Sequence, residues 1–180
     1  IRTGTNVYVD AVAGTGKTTL ILSMAKELKD KKILQMTYNK SLKFEVREKI
    51  EKEKVENLNV HTYHSLAVCY YRDTAFVDNE LRKIVVNKEK PQQAIPDIDI
   101  LVLDETQDMT YLYFQFMCKF LFDINKKVQL LILGDYMQGL YEFKGSDIRY
   151  LTFGDLIWKK HPLLQTTDFS HCTMKMSYRI

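Results

Sequence analysis

The stretch Ala11-Val12-Ala13-Gly14-Thr15-Gly16-Lys17-Thr18-Thr19 decides the fold that the sequence predicts. It follows an apolar run at residues 7–9 and opens a segment in which Leu20, Met24 and Leu28 recur at helical spacing. A phosphate-binding loop has this arrangement, in which a strand is followed by a glycine-bearing turn, by Gly-Lys-Thr and by a helix. Free backbone N–H groups and the positive dipole end at a helix start attract anions, and glycines let the backbone approach a phosphate closely.

The side chains of this loop predict how a nucleotide would be held. Lys17 is placed to reach the β- and γ-phosphates, and the Thr18 hydroxyl to hold Mg²⁺. One position departs from the generic pattern, because Ala11 stands where the first glycine is usual. The simpler alternative is an ordinary helix start that carries a surface lysine. The residues expected to contact the nucleotide are Ala13, Gly14, Thr15, Gly16, Lys17, Thr18 and Thr19.

The composition describes an ordinary globular chain of 180 residues, of which 46% are hydrophobic and 27% charged. This length fits one domain, or one domain with a small insertion. The net charge of +3 permits nucleic-acid binding but does not argue for it. Three separated cysteines lack metal or disulfide spacing, which indicates a reducing, intracellular setting, cytoplasmic or nuclear. No apolar run approaches the roughly 18 residues of a membrane-spanning helix, so no membrane partner is expected.

Strand and helix signals alternate along the chain, which predicts an α/β fold with a parallel sheet flanked by helices. The predicted strands are 7–9, 33–37, 58–61, 98–103, 128–133 and 169–176, and the predicted helices are 20–28, 41–53, 65–71 and 111–122. Residues 73–97 lose the alternation and are interpreted as a short surface insertion. Residues 111–122 are apolar nearly all round, so we expect their aromatic side chains to lie in the core rather than in a binding site.

Two acidic residues, Asp104 and Glu105, follow the apolar strand at 98–103. Ligands of open α/β sheets bind at the C-terminal edge of the strands, so this pair is expected beside the phosphate loop. Asp104 would complete the Mg²⁺ shell with Thr18, and Glu105 is the candidate base that orients a water for attack on the γ-phosphate. The alternative is a capping aspartate followed by a solvated glutamate.

The order of the remaining motifs carries a family resemblance. Asp104-Glu105-Thr106-Gln107-Asp108 is followed by the stretch at 133–145, which begins Leu-Gly-Asp, and then by Met176-Ser177-Tyr178-Arg179. With the phosphate loop, these motifs resemble the first RecA-like lobe of superfamily 1 DNA helicases of the UvrD/Rep type. Their residues are most similar to those of the F-box helicase and viral branch. The resemblance implies a RecA-like P-loop NTPase fold over residues 1–180.

The resemblance repeats the roles that the loop and the acidic pair indicate, with ATP as the nucleotide and Mg²⁺ as the metal. It adds three residues to the predicted site. Gln138 would sense the γ-phosphate, and Tyr178 would stack on the adenine. Arg179 would act as an arginine finger, a charge worth roughly 10³–10⁵ in rate.

The resemblance also implies contacts with single-stranded DNA. Tyr141 and Phe143 resemble aromatic residues on which bases stack, a contact worth about 1–3 kcal/mol per base. Hydrophobic packing of a loop is the alternative for both residues. Because Gln138 precedes Tyr141 by three residues, one loop could touch both ATP and DNA.

Two further stretches resemble motifs along the DNA path of this family. In Thr37-Tyr38-Asn39-Lys40, which is one residue shorter than the common wording, Tyr38 and Asn39 are the candidates for DNA contact. Residues 61–65, His-Thr-Tyr-His-Ser, resemble a second motif, in which Thr62 and His64 are the candidates. The alternative for His64 is that it makes only a structural hydrogen bond, as a histidine beside an aromatic residue usually does.

The function that the resemblance implies is that of an ATP-dependent 3′-to-5′ DNA helicase or translocase, of which this chain is the first motor lobe. A second RecA-like lobe of the same protein is the expected partner, because it supplies the opposite wall of the ATP cleft. The chain also begins after the position of the family's adenine-reading glutamine motif. Two other classes stay open: a P-loop kinase, and a catalytically idle module that binds nucleic acid or protein.

Overall fold

Six strands form one parallel sheet in the computed structural model, which describes residues 4–138, 145–164, 166 and 168–174. The strands are β1 (Asn6–Ala11), β2 (Ile33–Thr37), β3 (Leu58–Thr62), β4 (Ile100–Leu103), β5 (Gln129–Gly134) and β6 (Phe169–Met174). Their order across the sheet is β3-β2-β4-β5-β1-β6, and each pairing is parallel. The predicted α/β fold with a parallel sheet is therefore confirmed.

Helices connect the strands. They are α1 (Lys17–Glu27), α2 (Lys40–Glu53), α3 (Tyr63–Tyr70), α4 (Asp78–Val86), α5 (Tyr111–Ile124), α6 (Arg149–Thr152) and α7 (Gly154–Trp158), with a 3-10 turn at Thr106–Asp108. The four predicted helices are present, whereas α6 and α7 have four and five residues and are too short to show a helical period in the sequence. Among the described residues, no helix has the length and apolar character needed to cross a membrane.

The sheet separates two apolar clusters, because successive side chains of a strand point to opposite faces. On one face α3, α4 and α5 pack against alternate residues of the central strands, and on the other face α1 does so. The central strands are thus buried on both sides, which explains why β4 and β5 are continuous apolar runs rather than alternating patterns.

Helix α5 supplies much of the first cluster. Six of its side chains are buried, and they include Phe116, Met117 and Phe120, which are fully inaccessible to solvent. The indole of Trp158 packs edge-on against Phe114, with ring centroids 5.0 Å apart. The prediction that the aromatic residues of this helix belong mainly to the core is confirmed, although Phe122 faces outward and is 56% exposed.

The segment predicted as a surface insertion, residues 73–97, also contributes to this core. Leu81 and Ile84 of α4 are completely buried against the cluster that contains α5. The Arg72 guanidinium donates to the carboxylates of Glu80 and Glu89 and so connects the start of the segment to the first turn of α4 and to the residues just after that helix. The segment is therefore attached to the core through one helix face, a contact that its weak sequence pattern did not predict.

Replacing Phe120 with Ala should lower the free energy of unfolding by about 3–5 kcal/mol, because a fully buried ring leaves a cavity in the centre of the first cluster. The matched control is Phe122→Ala on the same helix, which should cost less than about 1 kcal/mol because that ring is exposed. Urea denaturation measures both values. Equal losses for the two variants would contradict the orientation of α5.

Candidate active site

Three loops meet at the C-terminal edge of the sheet, because β4, β5 and β1 are neighbours and run in the same direction. The phosphate loop follows β1, the acidic pair follows β4, and residues 135–138 follow β5. The sequence predicted each loop separately. The strand order explains how three stretches that are far apart in the chain form one site.

The phosphate loop has the backbone geometry that its glycines predict. Gly14 and Gly16 have φ values of 80° and 93°, in the left-handed region where a glycine is favoured. The Thr15 hydroxyl donates to the carbonyl oxygen of Val12 at 2.7 Å and closes the turn. Helix α1 begins at Lys17 with no side-chain cap, so the first N–H groups of the helix remain available for an anion.

Lys17 forms an ion pair with Glu105, with 3.2 Å between Nζ and Oε2. The side chains are only 10% and 17% exposed, so little solvent weakens their attraction. The ammonium group also lies 3.4 Å from the carbonyl oxygen of Ala11. Lys17, which is expected to bind phosphate, and Glu105, the candidate base, are therefore paired with each other across the site.

Asp104 is buried at the end of β4, with 6% exposure. One carboxylate oxygen accepts from Gln35 Nε2 at 2.8 Å, and the other accepts from the backbone N–H of Glu105 at 3.0 Å. Burial, reinforced by the nearby charge of Glu105, raises the pKa of Asp104 to about 7, although Lys17 and the two donors act in the opposite direction. A buried carboxylate that is so short of positive charge is suited to a cation.

These residues fit Mg²⁺, which proteins bind through one or two carboxylates together with phosphate and water oxygens. Asp104 and the Thr18 hydroxyl would hold the metal. Within the described part of the chain, no group of three or more His, Cys, Asp or Glu side chains could hold a metal ion by itself. The donor set therefore suits a cation that arrives with a phosphate ligand.

A cavity of about 340 Å³ lies at this edge of the sheet. Seven of the predicted site residues, all from the phosphate loop or the β4 loop, line it together with Gln138. Helix α2 supplies a wall that the sequence analysis missed, formed by Leu42, Glu45 and Lys49. Their spacing places them on one face of α2, but only the packing of α2 beside α1 shows that this face meets the loop. The lining residues are Ala13, Gly14, Gly16, Lys17, Thr18, Thr19, Leu42, Glu45, Lys49, Glu105 and Gln138.

Asp135, which directly follows β5, is a further residue that the sequence analysis missed. Its carboxylate accepts from the backbone N–H of Ala13 in the phosphate loop at 2.7 Å and from that of Met137 at 3.0 Å. The side chain is 1% exposed. The loop after β5 is therefore bonded directly to the phosphate loop. Its position after a buried strand, like that of Asp104, was a signal that could have found it.

Two residues predicted to contact DNA cap helices at the ends of neighbouring strands. The Asn39 side chain accepts from the backbone N–H of Leu42 at 2.9 Å and caps α2. The Thr62 side chain caps α3 in a reciprocal pair of hydrogen bonds with Ser65. Both residues lie at the C-terminal edge of the sheet, and their side chains are engaged in capping.

The other two described candidates belong to an aromatic cluster. Tyr38 contacts the edge of Tyr113, with centroids 6.2 Å apart, and Tyr113 stacks on Tyr63 at 4.3 Å. His64 Nε2 lies 3.0 Å from Asp78 Oδ1, and the Tyr113 hydroxyl donates to the same oxygen at 3.3 Å. His64 thus has the structural hydrogen bond that was the alternative interpretation, and contact with DNA stays a prediction for both residues.

Four predicted residues lie outside the part of the chain that the structure describes. They are Tyr141 and Phe143, expected to stack on bases, and Tyr178 and Arg179, expected to contact the nucleotide. Their roles stay predictions. Gln138 is the last described residue before the first of these stretches, and its side chain is exposed at the cavity.

The parallel sheet and the loops at its C-terminal edge have the fold of a RecA-like lobe. A family model described as an AAA domain matches residues 2–144, and the chain belongs to that family. No curated protein matches the sequence.

Two solved helicase structures are similar to the chain. The arterivirus nonstructural protein 10 helicase, solved with DNA, has a TM-score of 0.53 and 10% identity, over 97% of this chain and 37% of that chain. The Hef helicase domain of Pyrococcus furiosus has a TM-score of 0.48 and 13% identity, over 93% of this chain and 35% of that chain. The chain therefore spans a little over a third of the length of these structures. The predicted resemblance to a helicase RecA-like lobe is confirmed.

His61, in the second of the stretches expected near DNA, lies near the end of β3 and is half-buried. Burial, with a further contribution from the charges of Lys43 and Arg47, lowers the pKa of His61 from 6.5 to about 4. Its Nδ1 lies 3.3 Å from the Ser65 hydroxyl. The folded chain therefore holds this imidazole neutral over a pH range in which the unfolded chain protonates it.

Replacing His61 with Gln should weaken the pH dependence of stability on the acid side. Because the folded pKa lies below the unfolded one, His61 costs stability as the pH falls below about 6.5, on the order of 2 kcal/mol at pH 5. Urea denaturation at pH 7.5 and pH 5 measures the difference between wild type and variant. His171→Gln is the control, because that side chain is 55% exposed. Identical pH dependence of His61→Gln and wild type would contradict the burial of the ring.

Proposed function

We propose that this chain is the first motor lobe of an ATP-dependent 3′-to-5′ DNA helicase or translocase of the UvrD type. The observation that carries the proposal is the single cavity lined by Lys17, Thr18, Glu105 and Gln138 at the C-terminal edge of a RecA-like sheet. The family match supports nucleotide hydrolysis, and the structural similarity to a helicase solved with DNA supports a nucleic-acid track.

The ion pair between Lys17 and Glu105 indicates how the site would respond to ATP. The phosphates would occupy the turn at Gly14–Gly16 and the start of α1, where N–H groups are free. Lys17 would then turn toward the γ-phosphate. Glu105, released from its partner, would orient a water and accept its proton as the oxygen bonds to the γ-phosphorus and the bond to the β-phosphate oxygen breaks.

Mg²⁺ would neutralise charge on the phosphates when it is held by Thr18 and Asp104. Burial of Asp104 favours this role, because a cation removes the cost of keeping that carboxylate ionised. Gln35 and the backbone N–H of Glu105 fix the carboxylate in place from the protein side. The Asp104 carboxylate would therefore be oriented for the metal before a nucleotide enters.

The proposal assigns the remaining residues through the family resemblance. Gln138 would sense the γ-phosphate from the loop that also carries Tyr141 and Phe143, so that hydrolysis and base stacking share one segment. Arg179 would stabilise charge on the transferred phosphoryl group, and Tyr178 would stack on the adenine. A second RecA-like lobe of the same protein would close the cleft, and opening and closing of the two lobes would move the DNA.

In the full-length protein, Lys17→Ala should abolish DNA-stimulated ATP hydrolysis and weaken nucleotide binding. Glu105→Gln should keep nucleotide affinity but lower kcat by about 10²–10⁴, because it removes the base and leaves the binding loop intact. Release of phosphate and titration of a fluorescent nucleotide measure the two quantities. Lys159→Ala, which removes an exposed lysine from the end of α7, is the control.

Normal turnover in Lys17→Ala would contradict the assignment of the phosphate loop. Stimulation of hydrolysis by single-stranded DNA separates this proposal from a P-loop kinase, and any hydrolysis separates it from an idle binding module. Duplexes with a 3′ or a 5′ single-stranded tail measure polarity. Unwinding from the 5′ tail alone would contradict the proposed direction.

Replacing Tyr141 with Ala should weaken binding of single-stranded DNA by about 5- to 150-fold, the loss of one stacked base, and should leave ATP affinity unchanged. Fluorescence anisotropy of a labelled oligonucleotide measures the effect. Tyr111→Ala is the matched control, because that ring is 63% exposed at the start of α5. If the Tyr141 variant binds DNA as tightly as wild type, the residue does not form a stacking contact.

A further inference from the structure

The side-chain amide of Gln107 is buried between the candidate base and the loop after β5. Its Nε2 donates to Glu105 Oε2 at 2.8 Å, and its Oε1 accepts from the backbone N–H of Asp135 at 3.1 Å. The residue is 2% exposed, so neither bond is shared with bulk water. Both ends of the Gln107 amide are therefore hydrogen-bonded within the site.

The local backbone creates this arrangement. Glu105 has a φ of 51°, a left-handed conformation that is uncommon for a residue with a side chain, and it reverses the chain after β4. The 3-10 turn Thr106–Asp108 follows, and the Thr106 hydroxyl fastens it by donating to the Leu103 carbonyl oxygen at 2.9 Å. This turn directs Gln107 toward the end of β5.

Gly134 leaves the space that the amide occupies. A Cβ atom built on this residue would lie 2.7 Å from Gln107 Oε1 and 2.8 Å from two carbons of Leu151, closer than such contacts occur in proteins. The amide oxygen therefore approaches the backbone of β5 only because residue 134 has no side chain. The contact is built by three separate segments of the chain.

The bonds continue from Gln107 to the phosphate loop. Asp135, whose N–H is held by Gln107, accepts from the Ala13 N–H through its carboxylate at 2.7 Å. A connected series of hydrogen bonds thus runs from Glu105 through Gln107 and Asp135 to Ala13. Because Gln107 and Asp135 are buried, loss of the bond between them leaves polar groups without a partner.

The geometry points to Gln107 as a positioning residue of the ATPase site: it holds Glu105 at the cavity and fixes the loop after β5 against the phosphate loop. The inference rests on the proposed function. Glu105 Oε2 has two side-chain contacts, one to Lys17 and one to Gln107. When Lys17 turns to a phosphate, Gln107 remains as the donor that keeps the carboxylate in place.

Two substitutions separate the two ends of the amide. Gln107→Glu keeps an oxygen for the Asp135 N–H but places a second carboxylate against Glu105. Gln107→Met has a similar length and removes both hydrogen bonds. In DNA-stimulated ATP hydrolysis by the full-length protein, both variants should lower kcat by about 10- to 100-fold, because a misplaced catalytic group loses rate steeply. In Gln107→Glu the KM for MgATP should stay within about threefold, because the oxygen that holds Asp135 against the phosphate loop is retained.

A third variant moves the amide without changing it. Gly134→Ala should also lower kcat, because its Cβ displaces Gln107 Oε1. Gln93→Glu is the matched control for the added charge, because Gln93 is exposed. Thermal unfolding of each variant is measured alongside, so that loss of rate is compared among folded proteins, and Gly134→Ala serves if Gln107→Met does not fold.

The outcomes separate the inference from the function on which it rests. A lower kcat with a nearly unchanged KM in Gln107→Glu, together with a lower kcat in Gly134→Ala, supports the positioning role. Wild-type kcat in a folded Gln107→Glu protein would overturn it, since the bond to Asp135 alone would then suffice. Absence of ATP hydrolysis in the wild type would overturn the proposed function, and the inference would fall with it.

Discussion

The parallel pairing of β1 with β5 and of β5 with β4 is the constraint on which the site depends. Val9 lies beside Leu133, and Leu103 lies beside Ile132, so the three strands end at nearly the same height. Burial on both faces fixes this register, because a shift by one residue would turn each apolar side chain to the opposite face. Loops that are about 30 to 120 residues apart in the chain therefore meet because of the strand order, without a sequence motif that specifies their contact.

The balance of charge at this edge follows from the same burial. Two adjacent carboxylates, Asp104 and Glu105, share a poorly solvated position with one ammonium group, that of Lys17. Lys17 pairs directly with Glu105, and burial raises the pKa of Asp104 to about 7. A low dielectric makes each missing charge costly. A divalent cation that arrives with an anionic ligand would restore the balance. The charges around the cavity therefore favour a metal-bound anion as the ligand.

Most of the fold and half of the site could be predicted because their signals are local. The phosphate loop, the acidic pair and the alternation of elements depend on neighbouring residues, and the structure has them where they were expected. The α2 wall of the cavity and the Gln107–Asp135 bond could not be predicted, since they depend on how helices and loops pack. Asn39 shows a different limit: the same residue type serves a helix cap or a ligand, and sequence alone does not separate the two.

The ion pair between Lys17 and Glu105 has a consequence for the end of a reaction cycle. Because Lys17 already has an anionic partner in Glu105, an incoming phosphate would have to displace that carboxylate. A departing phosphate would let the ion pair form again. If the chain hydrolyses ATP as proposed, Glu105 would compete with the cleaved phosphate for the same ammonium group. An internal counter-ion of this kind would favour release of phosphate over its rebinding.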